Sequence, residues 1–121
     1  SDGSAVAYGK NVPHLRNYGT FPRVLARYVR EEGVLALEQA IHKMSGLPAS
    51  RINLSDRGLL GEGMIADVVI FDPGAVLDND VWADPHHYAS GLWFVIVGGK
   101  PVIDSGERTT EFPGQVLKRG T

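Results

Sequence analysis

Arg57-Gly58-Leu59-Leu60-Gly61-Glu62-Gly63-Met64-Ile65-Ala66-Asp67-Val68-Val69-Ile70-Phe71-Asp72 is the stretch on which the reading of the fold turns. From Ile65 to Phe71 it is β-branched and nearly all apolar, and Asp72-Pro73-Gly74 terminates it. That pattern predicts a strand buried on both faces. Asp67 is the polar exception, and a buried carboxylate needs partners, so it is expected to bond backbone amides of a neighbouring turn. Gly58, Gly61 and Gly63 suggest a phosphate-binding loop at first sight. No strand precedes them and no helix follows, so the dinucleotide reading fails.

Towards the C-terminus, residues 73–91 read as a long loop, with Asp78, Asn79, Asp80, Asp84, Pro85 and Gly91 as breakers. Leu92 to Val97 and Pro101 to Asp104 are two further strands. Gly98-Gly99 between them is a two-residue hairpin turn, where glycine supplies the positive φ that the primed turns require. Ser105-Gly106 makes another turn before Glu107 to Glu111. Towards the N-terminus the period lengthens. A second helix is expected from about Ala36 to Ser45, with Leu37, Ala40, Ile41 and Met44 on one face and Gly46 as its end. Pro48 to Ile52 suits a short third helix. A first helix is expected with Thr20 as N-cap, Pro22 in its first turn and Gly33 as its stop. Its apolar stripe is Val24, Leu25, Tyr28 and Val29, with Arg23, Arg27, Arg30, Glu31 and Glu32 as a solvated face. Residues 1–19 have no periodicity and read as a loop. The order is helices and then an antiparallel meander, an α+β arrangement whose character changes between Asp56 and Gly63.

Composition narrows the function. With 121 residues the chain is of single-domain size. The net charge of −2 gives no electrostatic case for nucleic acid or an anionic membrane. No stretch approaches the roughly 20 apolar residues of a membrane helix, and Ser1 to Lys10 lack the apolar core of a secretory signal. The absence of cysteine removes disulfides and thiolate metal sites and suits a cytoplasmic protein. His86-His87 is a poor metal pair, because adjacent residues seldom aim at one ion, and it reads as loop surface. His42 is expected to face solvent. His14 adjoins Arg16 but has no assigned role. Taken alone, Asp2-Gly3 is a turn dipeptide and Arg16 a surface arginine.

Five stretches together say more. Ser1-Asp2-Gly3, His14-Leu15-Arg16-Asn17-Tyr18-Gly19-Thr20-Phe21-Pro22-Arg23-Val24-Leu25, Glu38 to Pro48, Gly58 to Pro73 and Val95 to Gly106 cover almost the whole chain in order. In them the chain resembles the C-terminal part of the N-acyl-D-amino-acid deacylases, or D-aminoacylases, of the amidohydrolase superfamily. The Gly63-Met64-Ile65-Ala66-Asp67-Val68-Val69-Ile70-Phe71-Asp72 piece marks the superfamily, and Tyr18-Gly19-Thr20-Phe21-Pro22-Arg23 after an Asp-Gly marks the branch.

The resemblance implies a fragment of a metal-dependent (β/α)8 barrel, a TIM barrel, beside a small β domain. Residues 1–57 would be the end of the barrel domain and residues 58–121 the C-terminal part of the β domain. It implies a zinc hydrolase that splits N-acyl-D-amino acids into a carboxylic acid and a D-amino acid. Asp2 would relay a proton from zinc-bound water to the leaving amine, with Gly3 turning the backbone away beside it. Arg16 would hold the substrate carboxylate through its planar fork. His14-Leu15-Arg16 replaces the family's His-Pro-Arg, which loosens the backbone before that arginine. A full barrel takes roughly 250 residues and a catalytic zinc about three protein ligands, so this chain alone is expected to bind no metal and to be inactive. Its expected partners are the missing N-terminal barrel segment or a second copy of itself, which would complete an open strand edge. Two other readings stand beside this one. The first is a non-catalytic remnant that self-associates through its apolar stripes. The second is another amidohydrolase branch, dihydroorotase- or hydantoinase-like, acting on cyclic amides.

Overall fold

The structure, a computed structural model, describes residues 2–79 and 81–118. Ser1 of the Ser-Asp-Gly motif and Asp80 of the long loop lie outside the described residues. The elements in order are α1 (Arg16–Arg23), a π-helical continuation Val24–Glu31, α2 (Leu37–Met44), α3 (Gly46–Arg51), β1 (Val68–Phe71), β2 (Leu92–Val97), β3 (Lys100–Asp104) and β4 (Glu107–Arg108). Helices followed by an antiparallel meander is the predicted order. The chain folds as two compact units, each built from two separate stretches: Ser1–Ala36 with Asp72–Gly91, and Leu37–Phe71 with Leu92–Thr121. Among the described residues no helix is long and apolar enough to cross a membrane.

In the first unit the helix starts four residues before the predicted cap. Thr20 is no N-cap, because its hydroxyl donates back to the Arg16 carbonyl at 2.8 Å from inside the helix. Pro22 sits late in α1, not in its first turn. A proline offers no amide to the preceding turn. Directly beyond Arg23 the ladder widens to π spacing, closing with Glu32 N–H on the Arg27 carbonyl at 2.8 Å. Gly33 ends the helix as expected, at φ +60°. The arginines of this helix are not all a solvated face. Arg23 pairs with Asp78 at 3.0 Å. Arg30 donates to the carbonyls of Val76 at 2.7 Å and Pro73 at 3.1 Å. Arg27 pairs with Glu32, and Arg27 and Arg30 both stay exposed, so what the solvated-face reading lacks is these partners. The long loop is thus tied to the helix by charge-assisted bonds, and Leu25, Ala26 and Val76 are the buried apolar residues of this unit.

The neck of that loop is narrow. Leu77 and Ser90 exchange backbone bonds, and the Asp72 amide donates to the Gly91 carbonyl at 3.1 Å. Gly91 has φ +76°, and a Cβ there would lie 2.5 Å from the Val76 nitrogen and 2.6 Å from the Ala75 carbonyl. Gly91→Ala is therefore expected to cost at least about 2 kcal/mol, from left-handed strain and main-chain overlap together. Gly98→Ala, at φ +56° with open space around it, should cost only about 1 kcal/mol. Urea unfolding of the two variants checks this, and equal losses would refute it.

In the second unit the sheet order is β1-β2-β3-β4, each strand antiparallel to the next. Val69 faces Val95 across the first pair and Ile103 faces Val95 across the second. Gly98 and Gly99 turn at φ +56° and +81°, and Ser105 and Gly106 at +52° and +86°, so both hairpins use the primed turn. β1 is shorter than predicted and is not buried on both faces: Val69 and Ile70 are about half exposed. β1 also has only one neighbour in the sheet. Asp67 precedes the strand and does what its sequence position implied. Its Oδ1 accepts the Gly98 amide at 2.7 Å, and its Oδ2 pairs with Arg57. The buried apolar residues of this unit are Ala40, Ala49 and Leu54, all small or at the limit of burial. Gly58 at φ +85° lets the chain pass over Ala49, whose Cβ would be 2.5 Å from a Cβ at that position.

Candidate functional site

The first unit brings the two candidate residues together. Arg16 opens α1, and its amide, one of the donors a helix start leaves unpaired, is accepted by His14 Nδ1 at 3.0 Å. His14 therefore caps the helix, a role its sequence position gave no sign of. Its ring also meets Trp82 edge-on at 5.1 Å between centroids. Arg16 Nη2 stands 3.5 Å from Asp2 Oδ2. Both side chains are open, Asp2 almost fully. The segment that carries Asp2 is held to the helix by Asn17, whose side-chain amide donates to the Ser4 carbonyl at 3.1 Å. Gly3 makes that approach possible, because a Cβ there would be 2.7 Å from Asn17 Oδ1 and 3.1 Å from its Cα. Between segment and helix lies a recess of about 290 Å³ lined by Gly3, Ala5, Arg16, Tyr18 and Phe21 among others. A guanidinium and an aromatic wall line the recess, with the Asp2 carboxylate beside the guanidinium, an arrangement that suits a small anionic molecule with an apolar part.

Two tyrosines, Tyr8 and Tyr18, meet His86 edge-on, and a third, Tyr88, packs against both of them. Tyr8 stacks on Tyr88 at 5.0 Å, and Tyr18 meets both edge-on. The Tyr18 hydroxyl lies 2.9 Å from His86 Nδ1. Desolvation raises the Tyr18 phenol above its ordinary pKa, with Tyr88 and Tyr8 adding to the effect, so it remains a donor. The Tyr8 hydroxyl donates to the His86 carbonyl at 2.6 Å. His86 is thus half-buried and fully engaged, not loop surface. No sequence signal could have found it, because its partners lie 68 to 78 residues away and several are backbone atoms. His87 pairs with Asp84 at 2.9 Å. Among the described residues no three histidines, cysteines or acids are placed to share a metal ion.

The amidohydrolase family model matches residues 8–103. An N-acyl-D-aspartate deacylase of Alcaligenes xylosoxydans xylosoxydans is 50% identical over 109 residues, which are 89% of this chain and 22% of the relative. A D-aminoacylase whose crystal structure defines a novel subset of amidohydrolases superposes with a TM-score of 0.85 at 42% identity, over 89% of this chain and 23% of that one. An N-acyl-D-glutamate deacylase from Bordetella bronchiseptica, solved with zinc and a phosphonate mimic of the tetrahedral intermediate, superposes with a TM-score of 0.82 at 42% identity, over 88% of this chain and 22% of that one. The chain spans about a fifth of the length of these relatives. Similarity of this extent, over nearly all of the chain, has one meaning: the chain belongs to the amidohydrolase family.

Proposed function

We propose that this chain is the C-terminal part of a zinc-dependent deacylase that hydrolyses N-acyl-D-amino acids. In this reading residues 1–57 close the barrel and residues 58–121 supply the last strands of the small β domain. The observation that carries the reading is the 3.5 Å approach of Arg16 to Asp2 beside the recess. In an amino acid the carboxylate carbon and the amide nitrogen share one Cα, so they are only about 2.5 Å apart. A guanidinium that grips the carboxylate therefore fixes where the nitrogen sits. A proton-carrying group for that nitrogen must stand within a few ångströms of the same guanidinium, as Asp2 does.

Arg16 binds the substrate carboxylate in two parallel hydrogen bonds and exchanges its partner Asp2 for it. Asp2, released, takes a proton from the water as its oxygen bonds to the acyl carbon, then delivers that proton to the amine nitrogen as the C–N bond breaks. The products are a carboxylic acid and a D-amino acid. The residues of this chain do not themselves fit a metal: Asp2 has a cation as its neighbour, and no cluster of ligands stands near it among the described residues. Zinc in the complete enzyme belongs to residues outside this chain, and the chain alone is expected to be inactive.

The test is to express the longest reading frame that contains this chain, supply zinc, and assay release of D-amino acid from N-acetyl-D-amino acids. The L-enantiomers and a cyclic amide serve as controls. Hydrolysis of the D-substrates, lost on chelation, is the expected result. Turnover of the cyclic amide instead would overturn the reading. No turnover of anything, with self-association in sedimentation, would favour a non-catalytic remnant.

A further inference from the structure

His86 is held by both ring nitrogens, and the two contacts demand opposite roles. The Gly9 amide, which can only donate, points at Nδ1 at 3.1 Å. The Asn11 carbonyl, which can only accept, lies 3.0 Å from Nε2. The ring must therefore be neutral with its hydrogen on Nε2, and the Tyr18 hydroxyl adds a second donor to Nδ1 at 2.9 Å. Gly9 and Asn11 lie in the segment that joins Asp2 to Arg16, and Tyr18 is on the helix that Arg16 opens. One imidazole thus ties the connection between the two candidate residues to the helix that carries one of them. The connection has no regular structure beyond a turn closed by Lys10 N–H on the Ala7 carbonyl at 3.0 Å, and its other ties are the Tyr8 hydroxyl on the His86 carbonyl and Asn17 on the Ser4 carbonyl.

We propose that His86 is a positioning residue, a proton-sensitive latch that sets the spacing of Asp2 and Arg16 and releases it in acid. The positioning role rests on the deacylase reading above. The latch itself does not. A proton added at Nδ1 puts an N–H against the Gly9 N–H, and neither can accept. The Tyr18 hydroxyl can rotate to accept, but the Gly9 bond is lost, and the segment keeps its hold only through Asn11 and Tyr8. The groups facing the ring are the phenols of Tyr8 and Tyr18, with Tyr88 packed against both of them. Lys10 lies on the latched segment, and on the loop of His86 itself the Asp84 carboxylate is taken up by His87. Among the described residues no carboxylate is hydrogen-bonded to the ring, and the Asn11 carbonyl keeps its bond to Nε2–H in either charge state. The latch is closed while the imidazole is neutral, and the Gly9 bond that closes it is lost when the ring is protonated.

Two readouts test this in the longest frame that carries the chain. The first is NMR of the His86 ring nitrogens, with the protection of the Gly9 amide measured against its intrinsic exchange. The expected result is the Nε2–H tautomer at pH 7.5 and a loss of Gly9 protection of about tenfold or more by pH 5. An Nδ1–H tautomer, or protection that ignores pH, overturns the latch whether or not the protein is a deacylase. The second readout is kcat/KM against pH for the wild type, His86→Asn and His86→Phe. Asn places an oxygen where Nδ1 stands and cannot titrate. It should keep activity at pH 7.5 within about threefold and lose the part of the acid limb that His86 causes. Phe keeps the ring stacking without either nitrogen and should be at least about tenfold low at every pH. An acid limb in His86→Asn equal to that of the wild type overturns the positioning role.

Discussion

Asp2→Asn is expected to lower kcat of the complete enzyme by about 10³-fold while KM moves by less than about threefold, the range for loss of a positioned proton carrier. Asparagine keeps the size and the hydrogen-bonding reach of aspartate but cannot carry a proton between water and amine. A loss of that size is about 4 kcal/mol of transition-state stabilisation, far more than an exposed ion pair contributes to folding. Because the Asp2 side chain is almost fully open, the thermal midpoint of the variant should match the wild type. Steady-state kinetics at saturating substrate decide the matter. If Asp2→Asn keeps more than about a tenth of kcat, the proton passes through another group. Asp2→Glu, with the right chemistry on a longer arm, should fall between the two.

Arg16→Ala is expected to act on the other constant. Two charge-assisted bonds to the substrate carboxylate, offset in part by water that fills the gap, make about 3 kcal/mol, or a rise in KM of about 10²-fold. Arg16→Lys should recover only part of it, because an ammonium offers a point charge where the fork offers two parallel donors. The sharper test pairs the variant with a substrate whose carboxylate is a primary amide. If Arg16 grips the carboxylate, wild type and Arg16→Ala should handle that amide about equally, and the double-mutant cycle isolates the contact. A full Arg16→Ala loss on both substrates would assign Arg16 to holding Asp2 in place through their 3.5 Å contact.

The hairpins were legible because a two-residue turn makes a local demand. Gly98-Gly99 and Ser105-Gly106 sit where positive φ is needed, and both adopt it. Asp67 was legible for a related reason: its partner amide belongs to Gly98, in the turn that the strand pattern had already located. The helix start was misread. Thr20 has the chemistry of a cap, but His14 caps the helix through its side chain, and helix starts are seldom built that way. The partners of Arg23 and Arg30 were not legible, because amphipathic spacing reports only which side of a helix a residue occupies. Their partners, Asp78 and the carbonyls of Pro73 and Val76, lie in a loop without periodicity. Asp2 and Arg16 were singled out by resemblance. The thirteen residues between them carry no pattern that would predict a 3.5 Å approach. The exposed Val69 and Ile70 differ from the strand reading because periodicity gives the character of a surface and says nothing of what covers it.

The interleaving of the two units has a consequence for recombination. Each unit is made of two stretches, and the polypeptide passes from one unit to the other at residues 36/37, 71/72 and 91/92. A single crossover at residue 57, where the composition changes, would give a chimaera that inherits the sheet without α2 and α3. It would also carry away the 72–91 loop that holds Leu25 and Arg30 in the other parent. Neither half of such a chimaera keeps a complete unit. The two compositional halves therefore cannot be shuffled between amidohydrolases as independent cassettes, and an exchange that keeps both units whole needs its breakpoints at all three crossings.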